Sequence, residues 1–192
     1  MIENLPFETS QMIGSRARIG IVVLATDYTI EHEMRVLVNL PGVDIYYARI
    51  SNSPNISPDS LREMEPFITA TAKLILPGDT LDVLAYACTS ASIVLGTSTV
   101  AKNLNAAKPE AKTTNPAFAS FQAFRTLGAK RIAVLTPYAK HVNDMVQKSL
   151  EDAGFDVPVF GSFNEPHDPT VAAINSQSLQ NGIARIIEGQ NV

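Results

Sequence analysis

Two stretches of this chain follow one plan. Arg18-Ile-Gly-Ile-Val-Val23 is matched by Arg131-Ile-Ala-Val-Leu-Thr136. Each is followed by a helix-length segment that a glycine closes, Gly42 in the first half and Gly154 in the second. From Arg18 to Gly42 is 24 positions, and from Arg131 to Gly154 is 23. Short apolar runs alternating with helix-length segments imply βαβ units and parallel sheets. The chain is therefore expected to be α/β, built as two lobes of related topology. The boundaries read as an N-terminal arm over 1–17, a first lobe over 18–114 and a second over 115–192. An apolar content of 45% is ample for a core in 192 residues.

In chain order, strands are expected at Arg18–Leu24 and Val43–Ile50, with a helix between them over Ile30–Leu40. Ser57-Pro58-Asp59 is an N-cap with an N1 proline, predicting one helix to about Leu76. Leu81–Ala87 reads as a third strand, with its helix over Ser92–Leu104, and Lys112–Thr114 as a short strand. Asn115-Pro116 opens a helix to Leu127. In the second half, strands are expected at Arg131–Thr136 and Phe155–Phe163, with helices over Lys140–Ala153 and from Ser176 to Glu188. After Ile186-Ile187 the repeat has no counterpart to the third strand. A sheet lacking that strand carries an open edge. The expectation is a longer native chain that supplies the strand and final helices, or a partner that covers the edge, with a homo-oligomer as one form.

Cys88-Thr89-Ser90 falls where the third strand hands over to its helix. Ligands of open α/β sheets bind at the carboxyl ends of strands. A helix start there offers free N–H groups to a carboxylate and favours the thiolate form of a cysteine. Cys88 is the sole cysteine, and the competing reading makes it a small buried apolar residue. One cysteine excludes an internal disulfide and fits a reducing, cytoplasmic setting. His32, His141 and His167 show no metal-ligand spacing with Cys88, so no metal is expected. Charged residues make up 18% with a net charge of −4, which argues against nucleic acid and anionic membrane as partners. No apolar run is long enough to span a bilayer. Neither G-x-G-x-x-G nor G-x-x-x-x-G-K-[ST] occurs, which disfavours a nucleotide site.

Four pieces, RIGIVVLATDYTIEHE (Arg18–Glu33), DVLAYACTSAS (Asp82–Ser92), RIAVLTPY (Arg131–Tyr138) and VFGSFN (Val159–Asn164), resemble the aspartate/glutamate racemase superfamily. The branch is that of maleate isomerase, arylmalonate decarboxylase and the ectoine-utilisation racemase-like proteins. The resemblance implies two pseudo-symmetric lobes, with the active site in the cleft and no cofactor. It implies that Cys88 is the thiolate, adding to an alkene carbon or moving a proton at Cα. Thr89, Ser90 and Tyr138 would donate hydrogen bonds to a substrate carboxylate, stabilising a developing enediolate. Asn164 would hold a carboxylate too. Asp27 stands where many isomerases have asparagine. It would repel an acidic substrate, select a cationic one, or simply cap the next helix.

Thr89 and Ser90 also read as N-caps, Tyr138 as a loop tyrosine and Asn164 as a turn residue. The resemblance would place the family's second Cys-Thr motif after the missing strand, so two-thiol chemistry is not expected from these 192 residues alone. The expected function is a cofactor-independent isomerase or racemase of a small dicarboxylic or amino acid. The rival is a carboxylate-binding regulatory protein on the same fold, and decarboxylation ranks below both.

Overall fold

The computed structural model describes residues 1–192. Its central strand is β1 (Ala17–Leu24), whose second half, from Gly20 to Leu24, is buried. Its run of β-branched side chains suits a strand with neighbours on both edges and layers on both faces. β2 (Val43–Ile50) pairs with one edge of β1, and β3 (Val83–Tyr86) with the other. β4 (Lys112–Thr114) extends the sheet beyond β3, giving the order β2-β1-β3-β4, all parallel. After β1 the chain moves outward to β2, then returns to the opposite side for β3. Such a reversal opens a crevice at the carboxyl ends of β1 and β3. Ala25–Thr29 leaves one of those ends and Ala87–Ser90 leaves the other. The topology alone therefore places Cys88 beside the β1 loop.

The helices of this half are α1 (Ile30–Leu37), α2 (Pro58–Arg62), α3 (Glu65–Lys73), α4 (Thr89–Leu95) and α5 (Thr97–Ala107). Three differ from the sequence expectation, each for a local reason. The single helix expected from Ser57 to about Leu76 is broken into α2 and α3, because Pro66 at the start of α3 has no N–H to donate to the preceding turn. Ser57 does cap α2, its hydroxyl accepting from the Ser60 N–H at 3.1 Å. The helix expected from Ser92 to Leu104 starts three residues earlier, at Thr89, and is interrupted at Gly96, whose φ of 86° no helix accommodates. Its second piece, α5, runs on to Ala107. Helix α1 ends at Leu37 rather than Leu40.

The second half contributes α6 (Pro116–Thr126), β5 (Arg131–Thr136), α7 (Lys140–Asp152), β6 (Asp156–Ser162), α8 (Asp168–Ala172) and α9 (Ser176–Ile187). β5 and β6 pair in parallel as a separate two-stranded sheet. One apolar core joins the halves. It runs from Val22 and Leu84 through Val100 and Leu104 to Val142, Val146, Leu150 and Phe155. Helix α4 is the hinge of this packing, since it touches α2 on one side and α6 and α7 on the other. Phe155 sits edge-on to Phe124, ring centroids 5.4 Å apart, and tilted against Phe121 at 6.1 Å. Pairs of this geometry add about 0.5–1.5 kcal/mol beyond their buried area. No helix is long and apolar enough to cross a membrane.

The loop after β6 is stitched to the loop after β2. Ile56 N–H donates to the Pro166 carbonyl at 2.7 Å, and Asp168 N–H to the Pro54 carbonyl at 2.8 Å. A single antiparallel bridge joins Asn55 to His167. These bonds bring the carboxyl ends of the two sheets together around Cys88.

Candidate active site

Cys88 is the N-cap of α4, with extended backbone, and its carbonyl accepts from Ser92 N–H at 3.1 Å and Ser92 Oγ at 2.6 Å. Ser92 is fully buried, so this pair anchors the turn that carries the thiol. Cys88 itself is only 5% exposed, and its Sγ lies 3.6 Å from Ser90 Oγ. The Tyr86 hydroxyl reaches the same sulfur from the end of β3, while also pointing at Met64 Sδ, 3.6 Å away.

Tyr138 follows β5 and is held from its backbone. Asn143 Nδ2 donates to the Tyr138 carbonyl at 2.6 Å, and Ser162 Oγ donates to it at 2.5 Å. Asn143 is fixed in turn, its Oδ1 accepting from Thr136 Oγ1 at 2.5 Å. With its main chain clamped, Tyr138 lines a pocket together with Thr89, and the Ser90 and Thr89 side chains moderate the rise of its phenol pKa. The structure thus brings together Cys88, Thr89, Ser90 and Tyr138, four of the residues the sequence singled out. Asn143 and Ser162 escaped notice because nothing in a single sequence marks a residue that positions another residue's carbonyl.

Two other candidates are placed differently. Asp27 Oδ1 accepts from the N–H groups of Thr29 and Ile30, both at 2.9 Å, so this oxygen caps the first turn of α1. Its carbonyl accepts from Arg49 Nη1 at 2.9 Å. Asn164 is exposed in a left-handed conformation, φ 54°, and only its backbone N–H is bonded, to Ser162 Oγ at 2.9 Å. The residue beyond β6 whose charge reaches Cys88 and Tyr138 is Asp168. No group of three or more His, Cys, Asp and Glu side chains gathers to hold a metal.

Electrostatics at the thiol differ from the expectation of a depressed pKa. Burial is the largest influence and pushes the Cys88 thiol up. The Ala91 backbone N–H in the first turn of α4 and the Ser90 and Tyr86 hydroxyls pull it down, but do not offset the lost hydration. The Asp168 carboxylate raises it further. Tyr86 and Tyr138 are likewise pushed well above the ordinary tyrosine range, chiefly by burial and then by the neighbouring sulfur. The free protein at neutral pH therefore holds a neutral thiol between two neutral phenols.

Neutral thiols do not alkylate, so the rate of Cys88 modification should track ionisation. An exposed thiol, with a pKa of about 8.5, has nearly levelled off by pH 9.5. Because the folded-state value here is higher, the rate of iodoacetamide reaction with the native protein should still be climbing there. A plateau below pH 8.5 would show the thiol to be activated at rest.

Residues 53–191 match the model of a family described as arylmalonate decarboxylase. The chain is 30% identical to a maleate isomerase of Nocardia farcinica over 84% of its own length and 68% of the relative's. Among solved structures it resembles the Nocardia farcinica maleate cis–trans isomerase in a variant carrying a covalently bound succinylcysteine intermediate. That likeness has a TM-score of 0.79 and 25% identity, covering 91% of this chain and 75% of that one. The maleate isomerase of Pseudomonas putida S16, solved with maleate, gives a TM-score of 0.76 and 27% identity over 88% of this chain and 72% of that one.

Proposed function

Because this chain belongs to the arylmalonate decarboxylase family, in which it stands with the maleate isomerases, we propose that it is a cofactor-independent cis–trans isomerase of small unsaturated acids, with Cys88 as the nucleophile. The observation that carries the reading is one buried thiol at a strand end with three hydroxyl donors beside it. The related Nocardia farcinica isomerase, captured with a covalently bound succinylcysteine intermediate, supports the same chemistry.

Cys88 first loses its proton to solvent, and the thiolate then adds to one alkene carbon, forming a C–S bond. The electron pair of the double bond moves to the adjacent carbon and spreads into its carboxylate. What was a double bond is now single and rotates. Expulsion of the thiolate breaks the C–S bond, returns the pair to the carbon–carbon bond and releases the trans isomer. The thiolate takes its proton back from solvent, so atoms and charge balance over the cycle.

Hydroxyl donors fit the charge that appears on the carboxylate oxygens midway, and pre-placed donors in a water-poor site stabilise such charge most. Thr89, Ser90 and Tyr138 occupy that role, and the raised tyrosine pKa keeps the Tyr138 proton available for donation. Tyr86 keeps its proton beside the sulfur in the same way. A reducing cytosol would keep the single thiol free.

Proton NMR of maleate and of its monoamide, each incubated with the protein in D₂O, tests the reading. The expected result is the trans vinyl signals of at least one acid. Absence of both isomerisation and deuterium uptake, from protein whose Cys88 still alkylates, would overturn it.

A further inference from the structure

We propose that Asp168 makes this site select a mono-acid whose other end carries a hydrogen-bond donor, an amide or an ammonium, in place of a second carboxylate. The inference rests on the isomerase reading and narrows its substrate class. Asp168 and Ser90 line one small cavity, and Ser90 Oγ is the group 3.6 Å from the Cys88 sulfur. The carboxylate thus shares a cavity wall with the thiol's neighbour Ser90, close enough for its charge to raise the Cys88 pKa. Its orientation is built. Thr26 Oγ1 donates to Asp168 Oδ2 at 2.5 Å, Asn52 Nδ2 donates to Thr26 Oγ1 at 2.8 Å, and Thr26 N–H donates to Asn52 Oδ1 at 3.3 Å. The Asp168 backbone N–H is tied to Pro54, which fixes the residue from the other side.

This geometry leaves the second carboxylate oxygen, Oδ1, without a hydrogen bond inside the chain, and Asp168 forms no ion pair. No lysine, arginine or histidine lines the cavity, whose other polar walls are neutral amides and hydroxyls. His167, next in sequence, is exposed and turns its Nδ1 to Thr170 Oγ1 at 3.0 Å. A substrate carboxylate placed there would meet a like charge with no cation to offset it. An amide N–H or an ammonium would meet an acceptor. The first carboxylate keeps its neutral donors at Thr89, Ser90 and Tyr138. The influence of Asp168 on both Cys88 and Tyr138 agrees with its facing them.

Two readouts on the full chain decide the matter. The first is kcat/KM for the monoamide of maleic acid against maleate. Wild type should prefer the monoamide, and Asp168→Asn, which still accepts from Thr26, should shift the ratio toward maleate by about tenfold or more, the size of effect expected of one nearby charge. The second needs no turnover: the rates at which Cys88 reacts with neutral iodoacetamide and with anionic iodoacetate. Removing the charge should narrow the preference for the neutral reagent by a similar factor, and Asp168→Ala must move it the same way. An alkylation ratio unchanged in both variants overturns the proposal. If wild type isomerises neither acid while the alkylation ratio does shift, it is the isomerase reading that fails and the charge selection that stands.

Discussion

Cys88→Ala should abolish isomerisation, lowering kcat by at least about a thousandfold, because covalent addition has no substitute once the nucleophile is gone. The effect should be confined to chemistry. Cys88 is buried, but the only polar side-chain groups its sulfur meets are the hydroxyls of Ser90 and Tyr86, and the Ser92 bonds that hold the turn run to its backbone carbonyl. Truncating one buried sulfur should cost on the order of 1 kcal/mol of stability, toward the low end for large-to-small core changes. Measured kcat by NMR, beside urea melts of the same sample, separates the two. Full turnover in the variant would remove the thiol from the mechanism. Cys88→Ser should fall almost as far, since a buried hydroxyl ionises far less readily than a thiol.

Tyr138→Phe should lower kcat by roughly a hundredfold or more, the usual cost of deleting one donor to a developing oxyanion. Its ring stays, so packing against the core is kept. What is lost is the hydroxyl on the pocket wall shared with Thr89. If that hydroxyl acts mainly as the charge develops, kcat should fall while KM changes little. A fall in melting temperature with unchanged kcat would mark Tyr138 as structural only. The pH profile offers a further check. Activity should increase through the mildly alkaline range, because the resting thiol is neutral and the active form has lost its proton. Removing the nearby tyrosine hydroxyl should not reverse that sign, since burial dominates the thiol's ionisation.

Both predictions concern residues that were legible in the sequence, and the reasons are local. A β-branched apolar run followed by a helix-length segment specifies a strand and its crossover, so the strand-end placement of Cys88 and Tyr138 follows from short-range pattern. Helix ends were less accurate where one residue overrides the pattern. Pro66 splits one helix, and Gly96 interrupts another, and neither effect is visible in the apolar spacing around it. Asp27 divided between two readings for the same reason: capping an adjacent helix and facing a ligand call for the same residue type, and only coordinates show its Oδ1 on Thr29 and Ile30.

The pattern of the chain by itself determined the α/β class, the parallel strands, the thiol at the end of β3 and the family likeness. These depend on periodicity and on motifs a few residues long. Tertiary structure alone decided that Asp168 comes near enough to raise the thiol pKa, tied to Thr26 across 142 positions of sequence. It alone decided that Asn143 and Ser162 hold Tyr138, and that the thiol pKa rises at a helix start expected to lower it. Desolvation and charge are set by what packs around a group in space. In this site those neighbours come from the far half of the chain.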